Sequence, residues 1–213
     1  MDQVIEIEKR YVHESYDKIP ELFDNTRQYT WPKVREFSKS LKTNSLILDA
    51  GCGNGRNLNI RKDCHYIGSD VTPGLINISR KKAECVLCNV LKMPFKDNSF
   101  DAVLSIAVIH HLSTEYRRIQ AIREMTRVLK IGGKMLIYVW AKEQPRFQKY
   151  SQQDIMVPWK CRKTGKKICD RYYHTYIKDE LETSINNING LCIIESGNQC
   201  YNWYCIVKKK SNK

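Results

Sequence analysis

Residues 46–55, LILDAGCGNG, decide the fold of this 213-residue chain. The apolar run before Asp49 is typical of a parallel strand that is buried on both faces. Three glycines follow at alternate positions, where the missing Cβ atoms let the backbone turn tightly and approach a ligand: Gly51, Gly53 and Gly55. Asp70 ends a second strand-like run, HYIGSD, where a carboxylate can accept hydrogen bonds from both hydroxyls of a ribose. This layout predicts the nucleoside-binding half of a doubly wound α/β fold.

The spacing of these glycines distinguishes two kinds of cofactor. A dinucleotide fingerprint is G-x-G-x-x-G, whose backbone amides receive a pyrophosphate. Here the sequence is D-A-G-C-G-N-G, and Asp49 suits a ligand with a cationic amino-acid end. The pattern resembles motif I of class I S-adenosylmethionine-dependent methyltransferases. That resemblance implies a Rossmann-like, mostly parallel seven-stranded sheet with helices on both faces, and S-adenosyl-L-methionine as cofactor; a glycine turn without a ligand is the alternative.

The composition indicates one domain, residues 1–213, with a polyanionic partner. Lys and Arg outnumber Asp and Glu by 36 to 23, which gives a formal net charge of +13. This excess favours RNA over DNA or an anionic membrane, and a merely basic protein is the alternative. No apolar run is long enough for a membrane span, and MDQVIEIEKR lacks a hydrophobic signal region. We therefore expect a cytoplasmic protein, with the nucleus as a second location.

The nine cysteines are odd in number, scattered, and mostly within strand-like runs. They are expected to be reduced and to pack as small hydrophobic side chains. Cys85 and Cys88 form one C-x-x-C, but no second pair accompanies them, so a zinc site is not favoured there.

Strands and helices alternate along the chain, which predicts right-handed crossovers and a ligand at the carboxyl ends of the strands. Helices are predicted over 4–19, 32–41, 73–82, from Ser113 or Thr114 to Gly132-Gly133, and over 177–188. Strands are predicted at 46–49, 65–70, 84–90, 134–141, 191–197 and 201–210, and residues 100–111 are predicted to contain the fourth strand and its exit loop.

Residues 141–176 form a segment that the core fold does not require. They lack a clear period and are long for a loop, and such loops are usually functional or disordered. Six aromatic residues argue against disorder, and six basic residues fall between positions 160 and 171. Basic charge among aromatic rings is how a protein surface holds phosphates and stacks unpaired bases. We interpret this segment as an inserted substrate-recognition region, with a solvated basic loop as the alternative.

Several further segments together resemble one family. They are TRQYTWP, LDAGCGNGRNL, IGSDVTPGLI, SIAVIHHLSTEYRRIQAIREM, LIYVWAKEQ, DIMVPW, RYYHTY and NWYCIV. Over nearly its whole length the chain is similar to the eukaryotic tRNA wobble-uridine carboxymethyl methyltransferases, the yeast tRNA methyltransferase 9 type and the methyltransferase part of its human AlkB-homologue counterpart. The resemblance implies methylation of the carboxylate of 5-carboxymethyluridine at the anticodon wobble position of tRNA, forming the methyl ester. It also implies a heterodimer with a small zinc-binding activator subunit.

Residues 105–111 agree with this chemistry. Methyltransferases that act on adenine amines carry an N/D-P-P-Y/F loop after the fourth strand, and cytosine-C5 enzymes carry a nucleophilic cysteine there. The sequence SIAVIHH offers neither. A carboxylate nucleophile has a pKa of about 4, is already ionised at neutral pH and needs no general base. The enzyme then has to align the attacking oxygen with the methyl group.

The cofactor-binding candidates follow from the resemblance and from position. They are Asp49, Gly51, Gly53, Gly55, Asp70, Val71, Asn89, Val90 and Ala107. Asp49 is expected to meet the methionine ammonium, partly through water, and Asp70 the ribose hydroxyls. Asn89 stands where relatives often have Asp, and its carbonyl oxygen is expected to accept from the adenine amino group. No metal ligand is expected.

Two further groups concern the substrate. The catalytic candidates are His110, His111 and Arg27, and the substrate-binding candidates are Tyr29, Trp31, Lys163, Lys167, Arg171, Tyr172 and His174. At least one of the two histidines is expected to orient the carboxylate or the uracil, with a packing pair as the alternative. Arg27 belongs to residues 1–42, a helical segment that covers the cofactor in this fold. Trp140 and Trp159 can equally be core or functional residues.

Two other functions stay open. One is a small-molecule carboxylate or phenol O-methyltransferase, and the other is a non-catalytic RNA-binding scaffold. An enzyme that depends on an activator should expose an apolar surface when alone, and strand addition along a sheet edge is the expected contact.

Overall fold

Nine β-strands and seven α-helices form within residues 2–211, the part of the chain that this computed structural model describes; side chains are described from residue 5 onward. The strands are β1 (Leu46–Ala50), β2 (His65–Asp70), β3 (Glu84–Leu87), β4 (Phe100–Ile106), β5 (Leu129–Trp140), β6 (Asp154–Lys160), β7 (Lys167–His174), β8 (Leu191–Asn198) and β9 (Asn202–Lys209). The helices are α1 (Asp2–Glu8), α2 (Glu14–Asp17), α3 (Pro20–Asp24), α4 (Pro32–Lys39), α5 (Pro73–Ser79), α6 (Glu115–Val128) and α7 (Glu180–Asn186). A π-helical stretch, Lys9–His13, joins α1 to α2.

Seven of the strands form the central sheet, in the order β3-β2-β1-β4-β5-β9-β8. The first five run parallel, whereas β9 is antiparallel to both β5 and β8. The predicted Rossmann-like methyltransferase fold is thereby confirmed. The strand order reverses between β1 and β4, so the crevice outside their carboxyl ends is where this architecture binds ligands.

The apolar run in β1 is continuous because the strand is covered on both faces. Ile47 packs in a cluster with Val34 and Phe37 of α4, whereas Leu48 packs in a second cluster with Ile122 and Met125 of α6. All six side chains are almost completely buried. A strand between two helical layers has no polar face, which explains why its sequence, LIL, is apolar at every position.

The structure differs from the sequence expectation at the end of α6. Thr114 is the N-cap, and its side chain accepts a hydrogen bond from the Arg117 amide, as expected. The helix ends at Val128, however, and Leu129 already pairs with Phe100 of β4. Gly132-Gly133 therefore lies inside an irregularity of β5 rather than at a helix end. The burial of Leu129 explains the difference, since the sheet holds this residue extended.

Residues 141–176 contain an antiparallel hairpin, β6 and β7, rather than an irregular loop. Alternation within RYYH places Arg171 and Tyr173 on one face and Tyr172 and His174 on the other. The first of these faces meets the N-terminal helices, where the Tyr173 hydroxyl lies 3.0 Å from that of Tyr16.

Helices α1–α3 lie over the carboxyl ends of the sheet, where Val12, Tyr16 and Ile19 pack in an apolar cluster with residues of α5 and β7, and polar contacts add to this packing. Glu8 binds Arg117 with both carboxylate oxygens, at 2.8 and 2.7 Å. Asp17 accepts from the Gly74 amide at 3.1 Å, and Asp24 accepts from the Asn54 amide group at 2.7 Å. These contacts tie the N-terminal segment to the start of α6, to α5 and to the glycine loop. None of the helices in residues 2–211 is long and apolar enough to cross a membrane.

Candidate functional site

A cavity of about 630 Å³ lies at the carboxyl ends of β1, β2 and β4, beneath the N-terminal segment. Twelve of the residues selected from the sequence line it: Arg27, Tyr29, Trp31, Gly51, Gly53, Asp70, Val71, Asn89, Val90, Ala107, His110 and His111. Its volume falls within the range of small-molecule sites. One half is formed by the glycine loop and Asp70, and the other by the two histidines and several arginines.

Position 51 in the glycine loop requires glycine for two separate reasons. Gly51 has φ +82°, in the left-handed region, and a Cβ at this position would collide with the side chain of Val108.

The carboxylate of Asp70 is oriented by two backbone amides. The Gly53 amide donates to Asp70 Oδ2 at 2.9 Å, and the Thr72 amide donates to Oδ1 at 2.9 Å. Both oxygens of Asp70 are therefore oriented, and each keeps a lone pair for a ligand hydroxyl. Burial raises the pKa of this carboxyl, and the backbone hydrogen bonds partly oppose that effect.

Asp49 lies behind the glycine loop rather than on the cavity wall. The side chain is completely buried, and neither carboxylate oxygen accepts a well-formed hydrogen bond from the described residues, although the Asn57 side chain lies close enough to lower the pKa of Asp49. Burial raises the pKa of Asp49 to about 7, and the positive charge of Arg56 acts in the opposite direction. A buried carboxylate without a partner is costly, so this position fits a ligand that brings a cation close to it.

A second part of the cavity wall begins where β4 ends, next to the glycine loop. Ala107 has φ +63°, an uncommon conformation for a residue with a Cβ, and its amide donates to the Tyr138 carbonyl at 2.9 Å. The chain there turns out of the strand and brings Ala107 onto the cavity wall. Asn89 lies at the end of β3, where its Oδ1 accepts from the Leu91 amide at 2.9 Å. One lone pair of the oxygen expected to face an adenine amino group is thus already in use.

His110 has a defined protonation state. The Trp140 backbone amide can only donate, and it lies 3.1 Å from Nδ1, so Nδ1 carries no proton. Burial lowers the pKa of His110 well below its ordinary value, so the ring is neutral and its proton is on Nε2. The ring lines the cavity, and Nε2 has no partner among the described residues. His110 is therefore an unpaired hydrogen-bond donor next to the cavity.

His111 also lines the cavity, but both of its nitrogens are used. Nδ1 donates to the Tyr172 carbonyl at 2.9 Å, and Nε2 lies 3.1 Å from the Tyr16 hydroxyl. Burial lowers the pKa of His111 to about 3, so Nε2 is unprotonated and Tyr16 donates to it. Tyr173 in turn donates to the Tyr16 oxygen at 3.0 Å. This chain of hydrogen bonds joins α2, the turn after β4 and the hairpin.

Arginines supply most of the charge on the cavity wall. Four of them line it: Arg27, Arg56, Arg146 and Arg162. Within the side chains that the structure describes, none of these four forms an ion pair. The two acids on the wall are already engaged, Glu8 by Arg117 and Asp70 by backbone amides. The cavity wall therefore carries an excess of positive charge, which favours an anionic substrate.

Aromatic rings hold part of this charge in place. Trp140 and Tyr173 stack with their centroids 4.0 Å apart and their planes 8° from parallel. The Arg146 guanidinium lies 4.0 Å from the Trp140 centroid, and the Arg171 guanidinium lies 5.2 Å from that of Tyr173. Arg171 is buried without an acid beside it, and its Nε has no partner among the described residues. Stacking on aromatic faces is a common way to hold guanidinium groups.

The structure does not place two of the substrate-binding candidates, Tyr172 and His174, on the cavity wall. Neither lines the cavity, because the alternation of β7 turns both away from it. Tyr172 donates to Asp154 at 2.6 Å, and His174 lies between Asp154 and Glu180. Tyr173 is the member of this strand that reaches the cavity.

Other selected residues also lie outside the wall. Arg171 is behind Tyr173, and Gly55 packs against Ser79 and Leu58 below the glycine loop. Lys163 and Lys167 are exposed at the hairpin turn, where Lys167 pairs with Asp170 at 2.9 Å. Their places agree with contacts to a large substrate outside the cavity.

The wall residues that were not selected from the sequence include Arg56, Tyr173 and Arg146. Arg56 follows the glycine loop directly, so its position could have been inferred. Tyr173 could have been identified from the alternation of side chains along β7, which the segment RYYH contains. Arg146 stands in the short 3-10 turn Pro145–Phe147, and no pattern marks it.

Comparisons with known proteins agree with this geometry. Residues 48–137 match the methyltransferase domain family. The tRNA (carboxymethyluridine(34)-5-O)-methyltransferase of Schizosaccharomyces pombe is 39% identical, over 96% of this chain and 99% of that protein. The tRNA (carboxymethyluridine(34)-5-O)-methyltransferase alkbh8 of Xenopus tropicalis is 35% identical, over 95% of this chain and 41% of that protein. The chain spans 34% to 41% of the length of the first curated relatives it matches.

A solved structure shares the fold at low sequence identity. It is a Haloferax volcanii methyltransferase in complex with the Trm112 methyltransferase activator, with a TM-score of 0.72 and 13% identity. The likeness covers 95% of this chain and 99% of that one.

Proposed function

Since the chain belongs to the family of tRNA (carboxymethyluridine(34)-5-O)-methyltransferases, we propose that it methylates the carboxylate of 5-carboxymethyluridine at the wobble position of tRNA. One observation carries the proposal: a single cavity joins a cofactor half to a half with uncompensated arginines. The product would be the methyl ester.

S-adenosyl-L-methionine is the cofactor, and the residues present fit it. Gly51 and Gly53 leave the loop backbone open to a ligand, and the oriented carboxylate of Asp70 suits two ribose hydroxyls. The unpartnered carboxylate of Asp49 suits the ammonium of the methionine part, and its place behind the loop favours contact through water. The bound cofactor supplies an electrophilic methyl group on a sulfonium.

The residues around the cavity do not need to remove a proton from this substrate. A carboxylate is ionised at neutral pH, and the low pKa values of His110 and His111 make both rings neutral there. The task of the protein is to hold the carboxylate at about 3 Å from the methyl carbon and in line with it. The arginine half of the cavity provides the charge that holds it, and His110 Nε2 provides a neutral donor beside it.

The hairpin supports a tRNA substrate rather than a small molecule. Lys163, Lys166 and Lys167 are exposed at its turn, and Arg162 extends from the same turn to the cavity wall. A continuous basic surface from the hairpin to the cavity would follow a phosphate backbone to the base that is modified. A scaffold without catalysis would not require the intact cofactor half.

A small zinc-binding activator subunit is the proposed partner. The support is that a structural neighbour was solved with a methyltransferase activator. The two edge strands of the sheet, β3 and β8, carry the exposed apolar residues Leu87 and Ile194. Strand addition at one of these edges would form the heterodimer. Co-expression with the activator should then raise the soluble yield and the cofactor affinity, and a chain that is fully active alone would exclude this partner.

The proposed reaction can be tested by methyl transfer from labelled S-adenosylmethionine with the activator present. The substrate is tRNA from cells that lack the enzyme, and the product is analysed by nucleoside mass spectrometry. A methyl ester of 5-carboxymethyluridine that mild alkali removes is the expected result. Absence of transfer to tRNA while the cofactor still binds would refute it and favour a small-molecule or scaffolding role.

A further inference from the structure

We propose that Arg146 binds the substrate carboxylate and makes the enzyme select a carboxylate over its uncharged amide analogue. The inference rests on the function proposed above and assigns the specificity of that site to one residue. It follows from how Arg146 is held, from its free donors, and from what occupies the other arginines of the cavity.

Arg146 is exposed to the cavity but held in a fixed orientation. Its Nε donates to Gln144 Oε1 at 2.8 Å, and the guanidinium lies 4.0 Å from the Trp140 centroid and 4.6 Å from that of Phe147. Tyr173 stacks on Trp140 at the same distance of 4.0 Å. Two groups cannot share one face of a ring at this distance, so Arg146 and Tyr173 take opposite faces.

The platform beneath the guanidinium is rigid. Trp140 is 6% exposed, and Phe147 and Tyr173 are each 1% exposed. Tyr173 is also fixed through its hydroxyl, which donates to Tyr16. The side chain of Arg146 therefore loses less conformational entropy on binding than a free surface arginine would.

The donors that remain on Arg146 match a carboxylate. Its two Nη groups have no hydrogen-bond or ion-pair partner among the described residues. A guanidinium whose Nε is occupied can still present both Nη groups to the two oxygens of a carboxylate. His110 packs on the same Trp140 ring, with the centroids 5.2 Å apart, and its Nε2 donor is also unpaired. A charged donor pair and a neutral donor thus flank one tryptophan.

The other arginines of the cavity are less suitable. Nη1 of Arg27 already donates to the Thr26 carbonyl and hydroxyl, at 3.3 and 3.1 Å. Arg56 stacks on Trp31 at 4.8 Å and acts on the charge of Asp49, so it belongs to the cofactor half. Arg162 is an exposed residue of the hairpin turn. Arg146 alone among the four combines free Nη groups with contact to the ring that carries His110.

The test compares variants of the complete complex with the activator. Arg146→Gln removes the charge, Arg146→Lys keeps the charge without the fork, and Arg123→Gln is a control for net charge. Arg123 is exposed on α6, outside the cavity. For each protein, kcat/KM is measured with tRNA that carries 5-carboxymethyluridine. The same tRNA with 5-carbamoylmethyluridine serves as competitor, and cofactor affinity is measured separately.

We expect Arg146→Gln to lower kcat/KM by about 10- to 100-fold and to abolish the preference for the carboxylate over the amide, with cofactor affinity unchanged. Arg146→Lys should recover only part of the loss, because an ammonium lacks the paired geometry. Arg123→Gln should keep the preference. An Arg146→Gln enzyme that still prefers the carboxylate, or that loses cofactor affinity to the same extent, would overturn the assignment. A wild-type complex that does not methylate the carboxymethyl tRNA would instead overturn the proposed function.

Discussion

His110 and His111 lie with their ring centroids 4.6 Å apart and their planes 85° from parallel, yet they differ in hydrogen bonding. His110 has an unpaired Nε2 beside the cavity, whereas both nitrogens of His111 have partners in the surrounding structure. Both rings therefore support the fold, and His110 in addition keeps one donor for the substrate.

The same substitution at the two histidines should affect catalysis differently. His111→Ala leaves the Tyr16 hydroxyl without its acceptor and should lower the free energy of unfolding by about 1–3 kcal/mol. His110→Ala leaves the buried Trp140 amide without its acceptor, so it should lower stability by a similar amount, and it should also lower kcat/KM for methyl transfer because the Nε2 donor is lost. Denaturant unfolding and methyl-transfer kinetics on both variants check this prediction. A kcat/KM that falls no further in His110→Ala than in His111→Ala would contradict it.

The pH dependence of kcat should not contain the ionisation of a histidine side chain. Burial lowers the pKa of His111 to about 3 and that of His110 well below its ordinary value, so both rings are neutral at neutral pH. With saturating cofactor and tRNA, we expect kcat to be flat between about pH 6 and 8.5. A limb near pH 6.5 that disappears in His110→Asn would show that this ring titrates during the reaction.

Asp49 should couple cofactor affinity to pH. Its pKa of about 7 in the free protein means that the carboxyl is partly protonated at neutral pH, whereas a cationic ammonium requires the ionised form. Cofactor affinity should therefore fall as pH decreases through 7, and binding near pH 7 should release protons. Calorimetry in buffers of different ionisation enthalpy measures the proton release. Asp49→Asn should bind more weakly, without this pH dependence; an unchanged dependence would remove Asp49 from the model of binding.

Asp49 also predicts how stability changes with pH in the absence of cofactor. Its folded pKa is raised from 3.8 to about 7, so the folded state binds more protons than the unfolded state between these values. The free energy of unfolding should consequently decrease as pH rises from about 4 to 7. Comparing wild type with Asp49→Asn isolates this contribution, because only the wild type should show it.

Gly51 and Gly132 form a matched pair for testing the glycine loop. Their φ angles are +82° and +80°, but a Cβ at Gly51 would collide with Val108, whereas no atom lies within 4 Å of one at Gly132. Gly132→Ala should cost about 1–2 kcal/mol of stability and leave cofactor affinity intact. Gly51→Ala should destabilise more and abolish cofactor binding, as measured by calorimetry and unfolding. Similar cofactor affinities in the two variants would refute a role for close approach at Gly51.

The lysines at the hairpin turn should contribute electrostatically to tRNA binding. Replacing both Lys163 and Lys167 with Gln should weaken binding and reduce the slope of log K against log salt by about 1–2. The control replaces Lys42 and Lys96, exposed residues that precede β1 and β4 at the opposite end of the sheet. Binding titrations over a range of salt concentrations compare the two double variants. Equal slopes would mean that the hairpin does not contact phosphate.

The central fold could be predicted because its signals are local. The apolar run of β1, the glycines and the acid at position 70 lie within 25 residues, and burial on both faces leaves a continuous apolar pattern. The end of α6 was misplaced because Gly132-Gly133 is a strong local signal, while the pairing of Leu129 with Phe100 is a tertiary one.

The substrate half was less predictable for a different reason. The sequence alone does not distinguish the role of His110 from that of His111, because these roles depend on contacts with residues that are distant in sequence: Trp140, Tyr16 and Tyr172. Tyr172 and His174 were selected as substrate-binding residues because the alternation of side chains along β7 was not recognised in the sequence. Arg146 follows no period, and only its packing on Trp140 identifies it.

The N-terminal segment is joined to the rest of the protein by tethers that involve Glu8, Tyr16, Asp17 and Asp24. The apolar cluster that holds helices α1–α3, around Val12, Tyr16 and Ile19, is smaller than the main cluster of the central sheet, so local opening of the segment should require less free energy than global unfolding. Cofactor exchange would then be limited by the rate at which this segment detaches while the sheet stays intact. Amide hydrogen exchange in helices α1–α3 would slow when the cofactor is bound, and β1 and β4 would serve as the protected reference.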